Sequence, residues 1–231
     1  LENFSSEDIA ELLAKLQPQG GNNATIEFAS NSYSFYVMQS GMEARRETFA
    51  KGLIAALDKL TDKDNKGYVI KLLQQSGKNE AVAPLTPYLK DDYLVGKASR
   101  ALVAINTEDA RKALLASLTD ADSETKKIAI VTDLGDLRST DAETKIIELI
   151  QSTSAPKFQK AAFTALSKIG GEKSAAVFTT QLAIVKYQYE PNDITGLAVD
   201  YAETLLKNKK SAQAEKFAAA LFACLLYTSD A

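Results

Sequence analysis

The sequence predicts an all-α fold, a right-handed α-solenoid of about six antiparallel helix pairs that follows one N-terminal helix. Apolar residues recur at helical spacing, there is almost no strand signal, and a two-helix unit returns about every 30 residues. Four consecutive units align on their first helix at Leu73, Leu102, Val131 and Leu166, with spacings of 29, 29 and 35 residues. Such a period is typical of stacked units that bury their apolar faces only against their neighbours.

The second helix of each unit repeats as well, at spacings of 29, 32 and 32 residues. Its core positions are Leu85/Leu89, Leu114/Leu118, Ile146/Ile150 and Phe178/Leu182. The two series together predict three regions. These are an N-terminal helix and loop (residues 1–23), the solenoid (residues 24–223) and a short C-terminal tail (residues 224–231).

The N-terminal helix is predicted over residues 4–17. Ser5 and Ser6 suit an N-cap, and the acidic residues that follow suit the positive end of the helix dipole. Ile9, Leu12, Leu13 and Leu16 share one helical face. A Pro- and Gly-containing loop then follows over residues 18–23.

The first unit is less regular than the second to fifth units. Residues 24–39 and 42–60 are predicted to be the helices of the first unit, although 24–28 alone could pass for a strand. The second unit spans residues 65–90 and contains two prolines. Pro84 is tolerated in a first turn, whereas we expect Pro87 to bend or shorten the helix.

The third to fifth units carry helix start and stop signals. Asp92 and Thr107 are predicted to cap the two helices of the third unit, and Asp122-Ser123 starts the fourth, whose first helix ends near Gly135. Thr140 to Glu143 fits a reciprocal capping box. In the fifth unit Pro156 suits a first turn and Gly170-Gly171 a helix end.

The pattern loosens after Val185. An aromatic loop, residues 187–193, precedes the sixth unit, whose helices are predicted at 194–207 and 211–222. The run from Lys207 to Lys210 is interpreted as a solvated turn. Residues 224–231, Cys-Leu-Leu-Tyr-Thr-Ser-Asp-Ala, resemble the translation of a sequencing adaptor and are predicted to be non-native.

Composition excludes several classes of function. The chain has 231 residues, 27 basic and 30 acidic, and a formal net charge of −3, which argues against a strongly basic nucleic-acid or anionic-membrane surface. It has no His, so His-based catalysis and His metal sites are excluded. Its one Cys, Cys224, lies in the tail, so we expect no disulfide. No apolar stretch reaches the length of a membrane span.

Paired carboxylates and aligned cations are the remaining candidates for chemistry. The acids are Asp91/Asp92, Asp120/Asp122 and Asp133/Asp136, which could serve a glycosidase but lie mostly at helix ends, where Asp caps helices. Lys97 and Lys126 are equivalent by a 29-residue offset, with Lys160 one position off, and Lys71 is likewise equivalent to Arg100. Such a line could hold nucleic acid, but polar helix surface is the preferred interpretation. No catalytic, cofactor or metal residue is assigned.

The aromatic residues divide into two groups. Tyr33 and Phe49 lie at helical spacing and are interpreted as core. Tyr187 and Tyr189 lie in the predicted loop, where they are freer to bind a partner.

Two stretches, Ala98–Ile105 with Ala110–Leu118, and Ala161–Gly170, resemble HEAT repeats. These repeats favour Ala-Leu-x-x-Ile-Gly at the end of the first helix and Ala-x-x-x-Leu-x-x-x-Leu in the second. The resemblance covers residues 24–222, and it implies the fold rather than a function.

A closer likeness is to the HEAT-repeat region of Bacteroidetes envelope proteins that carry a downstream 3-keto-disaccharide hydrolase-type domain. It rests on residues 33–46, 67–77 and 81–89. This resemblance implies a periplasmic or secreted protein, with a cytoplasmic one as the alternative. Because the chain begins at Leu1 and ends in the adaptor-like tail, we expect a fragment of a longer protein.

The predicted function is a non-catalytic scaffold or protein-interaction module. Its partner is another protein or another domain of the same chain, without nucleic acid, membrane span or cofactor, and its oligomeric state is left open. The alternative is an enzymatic or nucleic-acid-binding module that uses cations and carboxylates on the concave face.

Overall fold

The computed structural model describes residues 1, 3–18, 21–186 and 190–228, with side chains as far as residue 222. These residues form thirteen α-helices and three short 3-10 segments, and none of them is in a strand. The predicted all-α solenoid is thus confirmed. The chain divides into two compact units, Leu1–Ser117 and Leu118–Ala231.

The first unit holds the helices up to α7, whose last residues extend past its boundary. Within it α2, α4 and α6 contact one another in that order and form a first row, while α1 packs on α3 in a second row. The helices are α1 (Ser6–Leu13), α2 (Ala24–Tyr36), α3 (Glu43–Lys59), α4 (Lys63–Ser76), α5 (Val82–Leu85), α6 (Val95–Ile105) and α7 (Glu108–Asp120).

The second unit repeats this arrangement. Its first row is α8, α10 and α12, and its second row is α9, α11 and α13, each helix contacting the next in its row. The helices are α8 (Glu124–Asp136), α9 (Glu143–Ser152), α10 (Pro156–Ile169), α11 (Ser174–Val185), α12 (Ile194–Lys207) and α13 (Ser211–Thr228).

The core lies between the rows and is built from the residues that define the repeat. The four first-helix markers, Leu73, Leu102, Val131 and Leu166, are all fully buried. Tyr33 and Phe49 are buried as predicted, and their rings meet edge to face at 5.2 Å. The residue pattern therefore identified the buried positions correctly at these sites.

Glycines let neighbouring helices approach closely at two places. A Cβ atom on Gly52 of α3 would lie 2.7 Å from Cβ of Ile9 and 2.8 Å from the carbonyl oxygen of Ser6, both on α1. On Gly135 of α8 it would lie 2.7 Å from Cα of Ala165 on α10. Neither contact leaves room for a side chain, so these glycines fix how close the helices pack.

Several helix ends follow the predicted signals. Ser5 is the N-cap of α1 and forms a capping box with Asp8. The hydroxyls of Thr107 and Ser123 accept hydrogen bonds from the first turns of α7 and α8. Pro156 begins α10, and Gly170 ends it with a left-handed conformation at φ 62°.

Pro87 shortens its helix as predicted. The α-helical part of this segment is only Val82–Leu85, with 3-10 turns at Asn79–Ala81 before it and Thr86–Lys90 after it. Pro84 lies in the first turn of α5, where no intrahelical N–H bond is lost. Residues 24–28, which could pass for a strand, are helical.

Two predicted caps are wrong. The N-cap of α6 is Leu94, not Asp92, and it is Asp91 whose carboxylate accepts hydrogen bonds from the N–H groups of Tyr93 and Leu94. The box from Thr140 to Glu143 does not form, because α9 starts after a 3-10 turn and its N-cap makes no side-chain bond. The Glu143 carboxylate instead binds the next repeat, where it accepts from the N–H of Ser174.

Helix lengths differ from expectation at both ends of the chain. Helix α1 ends at Leu13 rather than at residue 17, and the chain continues as a turn at residues 14–15. Helix α13 continues through Thr228, beyond the predicted end at residue 222. Tyr187 and Tyr189, the predicted loop aromatics, lie outside the described residues.

Candidate interaction surface

The predicted acid pairs lie at helix ends and in ion pairs. Asp91 accepts a hydrogen bond from the Lys63 ammonium at 2.6 Å, which together with backbone N–H groups lowers the pKa of its carboxyl. Asp122 pairs with Lys126 at 2.7 Å and its pKa is lowered for the same reason. Among the described residues no group of three or more His, Cys, Asp or Glu side chains is placed to hold a metal ion.

The cations that align in the sequence also have local partners. The Lys97 ammonium lies over the Tyr93 ring at 4.9 Å, and Lys160 donates to the carbonyl of Pro191 at 3.1 Å. Lys126 is buried against Asp122, whereas Lys71 and Arg100 are exposed. Most of the predicted line is therefore engaged within the fold.

Polar contacts also join consecutive repeats. Their partners are 28 to 34 residues apart, close to one repeat. They include Tyr93 with Asp64, Asn79 with Asp109, Arg46 with Ser76 and Glu80, Lys168 with Asp136, and Tyr201 with Gly171. These bonds fix one repeat against the next and hold the exposed helix faces in place.

Glu143 is the most buried acid in this network. Its carboxylate accepts from both the N–H and the hydroxyl of Ser174 at the start of α11, at 2.8 and 2.7 Å. The hydroxyl of Tyr201 donates to the carbonyl of Gly171 at 2.7 Å, in the same layer. Burial and the charge of Glu143 raise the pKa of Tyr201 to about 12, so its hydroxyl remains a donor. The cluster is a structural connection between repeats.

Helix α2 differs from the other first-row helices of its unit. The α2 face consists of Phe28 and Phe35 of α2 and Met38 in the turn just after it, which are 77%, 59% and 48% exposed. The equivalent helices α4 and α6 instead expose charged side chains, among them Asp64, Lys71, Lys97 and Arg100. Large apolar side chains on a solvent face are the unusual case, and when clustered they mark interaction sites.

A similar pair of exposed apolar side chains lies on α12, which ends the first row of the second unit. Val199 and Leu206 of α12, the α12 face, are 50% and 54% exposed. They are seven residues apart, as Phe28 and Phe35 are, so each pair lies on one side of its helix. Sequence reasoning missed both faces, although an apolar pair at seven-residue spacing opposite the buried stripe was a usable signal.

Comparison with known proteins agrees with this architecture. The family model of HEAT repeats matches residues 50–132 and 112–184, which together are more than half of the chain. No curated protein matches the chain. Within the part of the chain that the structure describes, no helix is both long and apolar enough to cross a membrane. Because the family model covers more than half of the chain, the chain belongs to the HEAT-repeat family.

Proposed function

We propose that this chain is a non-catalytic scaffold, the interaction module of a larger bacterial envelope protein that takes part in carbohydrate processing. The observation that carries the interaction module is the pair of exposed apolar faces, one on α2 and one on α12. The envelope and carbohydrate parts of the proposal rest on the resemblance of residues 33–46, 67–77 and 81–89. Membership of the HEAT-repeat family supports it, because stacked helix pairs present extended surfaces for binding.

The mechanism is geometric. The exposed side chains stand on helices whose positions are fixed by buried apolar residues and by hydrogen bonds to the next repeat. A partner that docks there meets a surface that is already ordered, so little conformational entropy is lost on binding. Burial of the apolar side chains then supplies roughly 25 cal/mol for each Å² removed from water.

The enzymatic or nucleic-acid-binding alternative is not proposed. Except for Lys71 and Arg100, which are exposed, the cations that suggested it bind an acid, a backbone carbonyl or an aromatic ring inside the fold. In particular, Asp91, Asp122 and Lys126 form local ion pairs.

The partner that we propose for the α12 face is a downstream domain of the same protein. Recovery of the longer reading frame is the first test, and we expect a secretion signal upstream and a sugar-processing domain downstream. A stand-alone gene for a cytoplasmic protein would overturn the envelope assignment.

The second test measures binding of that domain. The domain is expressed separately and titrated calorimetrically into the wild-type chain and into the variant Val199→Glu/Leu206→Glu. We expect wild-type binding and a loss of about tenfold or more in the variant, because charges replace the apolar contact. The matched control, Phe28→Glu/Phe35→Glu, should bind like the wild type. Absence of wild-type binding would contradict the scaffold proposal.

A further inference from the structure

We infer that the α2 face binds the α2 face of a second copy of this chain, with the two α2 helices antiparallel across a two-fold axis. The inference rests on the proposed function, since it names one partner of the interaction module. The α2 face is Phe28, Phe35 and Met38, all in the first unit.

The packing of the first row shows that a helix fits this position. Helix α4 packs against α2 and against α6, whereas α4 is the only first-row helix against which α2 packs extensively among the described residues. The α4 contact is made by Ser30 and by the carbonyl of Glu27, both bonded to the Tyr68 hydroxyl. At about 100° per residue, Phe28 and Phe35 lie on the opposite half of the helix from Ser30.

The packing of the second row also indicates that a helix fits beside α2. Helix α1 packs on α3, with Ile9, Ala10 and Leu13 buried between them. It therefore occupies the second-row position of an outer layer, and no described helix occupies the first-row position beside it. A helix laid on α2 would complete that layer with the same kind of contact that α4 makes with α6.

The α2 face is suited to bind the same face of a second copy because it is symmetric and almost uncharged. In an antiparallel pair centred between Asn31 and Ser32, Phe28 faces Phe35 of the second copy. The exposed, uncharged side chains of Asn31 and Ser32 from both chains then meet at the axis. Glu27 is the only charged residue of α2, so like charges do not oppose each other across the axis.

The size of the face sets the strength of the dimer. A Phe side chain buries about 150–250 Å² when it is fully covered. Given the exposed fractions of Phe28, Phe35 and Met38, each copy can bury a few hundred Å², which is less than the roughly 800 Å² per partner of a standard stable complex. We therefore expect a weak dimer whose population depends on concentration.

Sedimentation equilibrium over a wide range of protein concentration tests the inference. A reductant is present throughout, because Cys224 is the only Cys and must not form an intermolecular disulfide. The wild-type mass should rise from monomer toward dimer. The variant Phe28→Glu/Phe35→Glu should dissociate about tenfold or more readily.

The matched control is Val199→Glu/Leu206→Glu, which changes an exposed pair of the same spacing on α12 and should dimerise like the wild type. Circular dichroism should show the same helix content for all three proteins, since every changed side chain is exposed. A wild-type chain that remains monomeric overturns the inference, and so does equal association of the α2 variant. Either result leaves the proposed function intact, because binding of the downstream domain is measured separately on the α12 face.

Discussion

At the scale of single residues, buried charges in this protein connect one repeat to the next. Arg46 of α3 is buried and donates to the carbonyl of Ser76 and to the carboxylate of Glu80, both at or after the end of α4. Partial burial alone would raise the pKa of Glu80, but bonds from Arg46 and from backbone N–H groups outweigh burial and lower it. The ionised carboxylate is therefore favoured in the folded state.

This shift predicts how stability depends on pH. Because the pKa of Glu80 is lower in the folded state, its contribution is fully present above the usual value of 4.5 and is lost as pH falls through the folded-state pKa. Glu80→Gln should lower the free energy of unfolding by about 1 kcal/mol near neutral pH. That difference should shrink below the usual pKa.

Urea unfolding of the wild type and the variant at a series of pH values measures this difference. Glu11→Gln, a change on the exposed side of α1, is the control and should remain within about 0.5 kcal/mol of the wild type throughout. A Glu80→Gln difference that grows toward acid pH would show that the sign is wrong.

At the scale of helices, local signals were read correctly where the contact that matters is local. Ser5, Thr107 and Ser123 bond the first turn of their own helices, so the sequence alone was sufficient. Glu143 was misread because the N–H of Ser174, 31 residues away, competes for its carboxylate. The α2 face was missed for a different reason, since the seven-residue spacing of Phe28 and Phe35 opposite the buried stripe is a local signal that was not used.

The spacing between helices predicts that two glycine substitutions change the free energy of unfolding in opposite directions. Gly52→Ala would bring a Cβ against Ile9 and the backbone of Ser6, so it should destabilise the fold by about 1–3 kcal/mol. Gly96→Ala in α6 meets nothing within 4 Å, so the better helix propensity of Ala should stabilise by up to about 1 kcal/mol. Thermal unfolding of both variants measures the shifts. Destabilisation by both would contradict the proposed role of Gly52 in the approach of α1 to α3.

At the scale of the whole molecule, stability is built from contacts between neighbouring repeats. Many of the long-range polar bonds join residues about one repeat apart, and each first-row helix contacts the next in its row within each unit. In such an array the free energy is approximately a sum of terms for repeats and for their interfaces. A local defect should therefore loosen its own neighbourhood and leave distant repeats protected.

Hydrogen exchange of two variants tests this locality. Glu143→Ala leaves the buried N–H and hydroxyl of Ser174 without their acceptor, at a cost of about 1–3 kcal/mol, so amides of α9 to α11 should exchange faster. Amides within Leu1–Ser117 should exchange as in the wild type. Gly52→Ala should give the reverse pattern, with faster exchange in α1 to α4 and unchanged exchange in α10 to α12. If either variant accelerates exchange along the entire chain, the two compact units unfold as one cooperative body and the nearest-neighbour description is wrong.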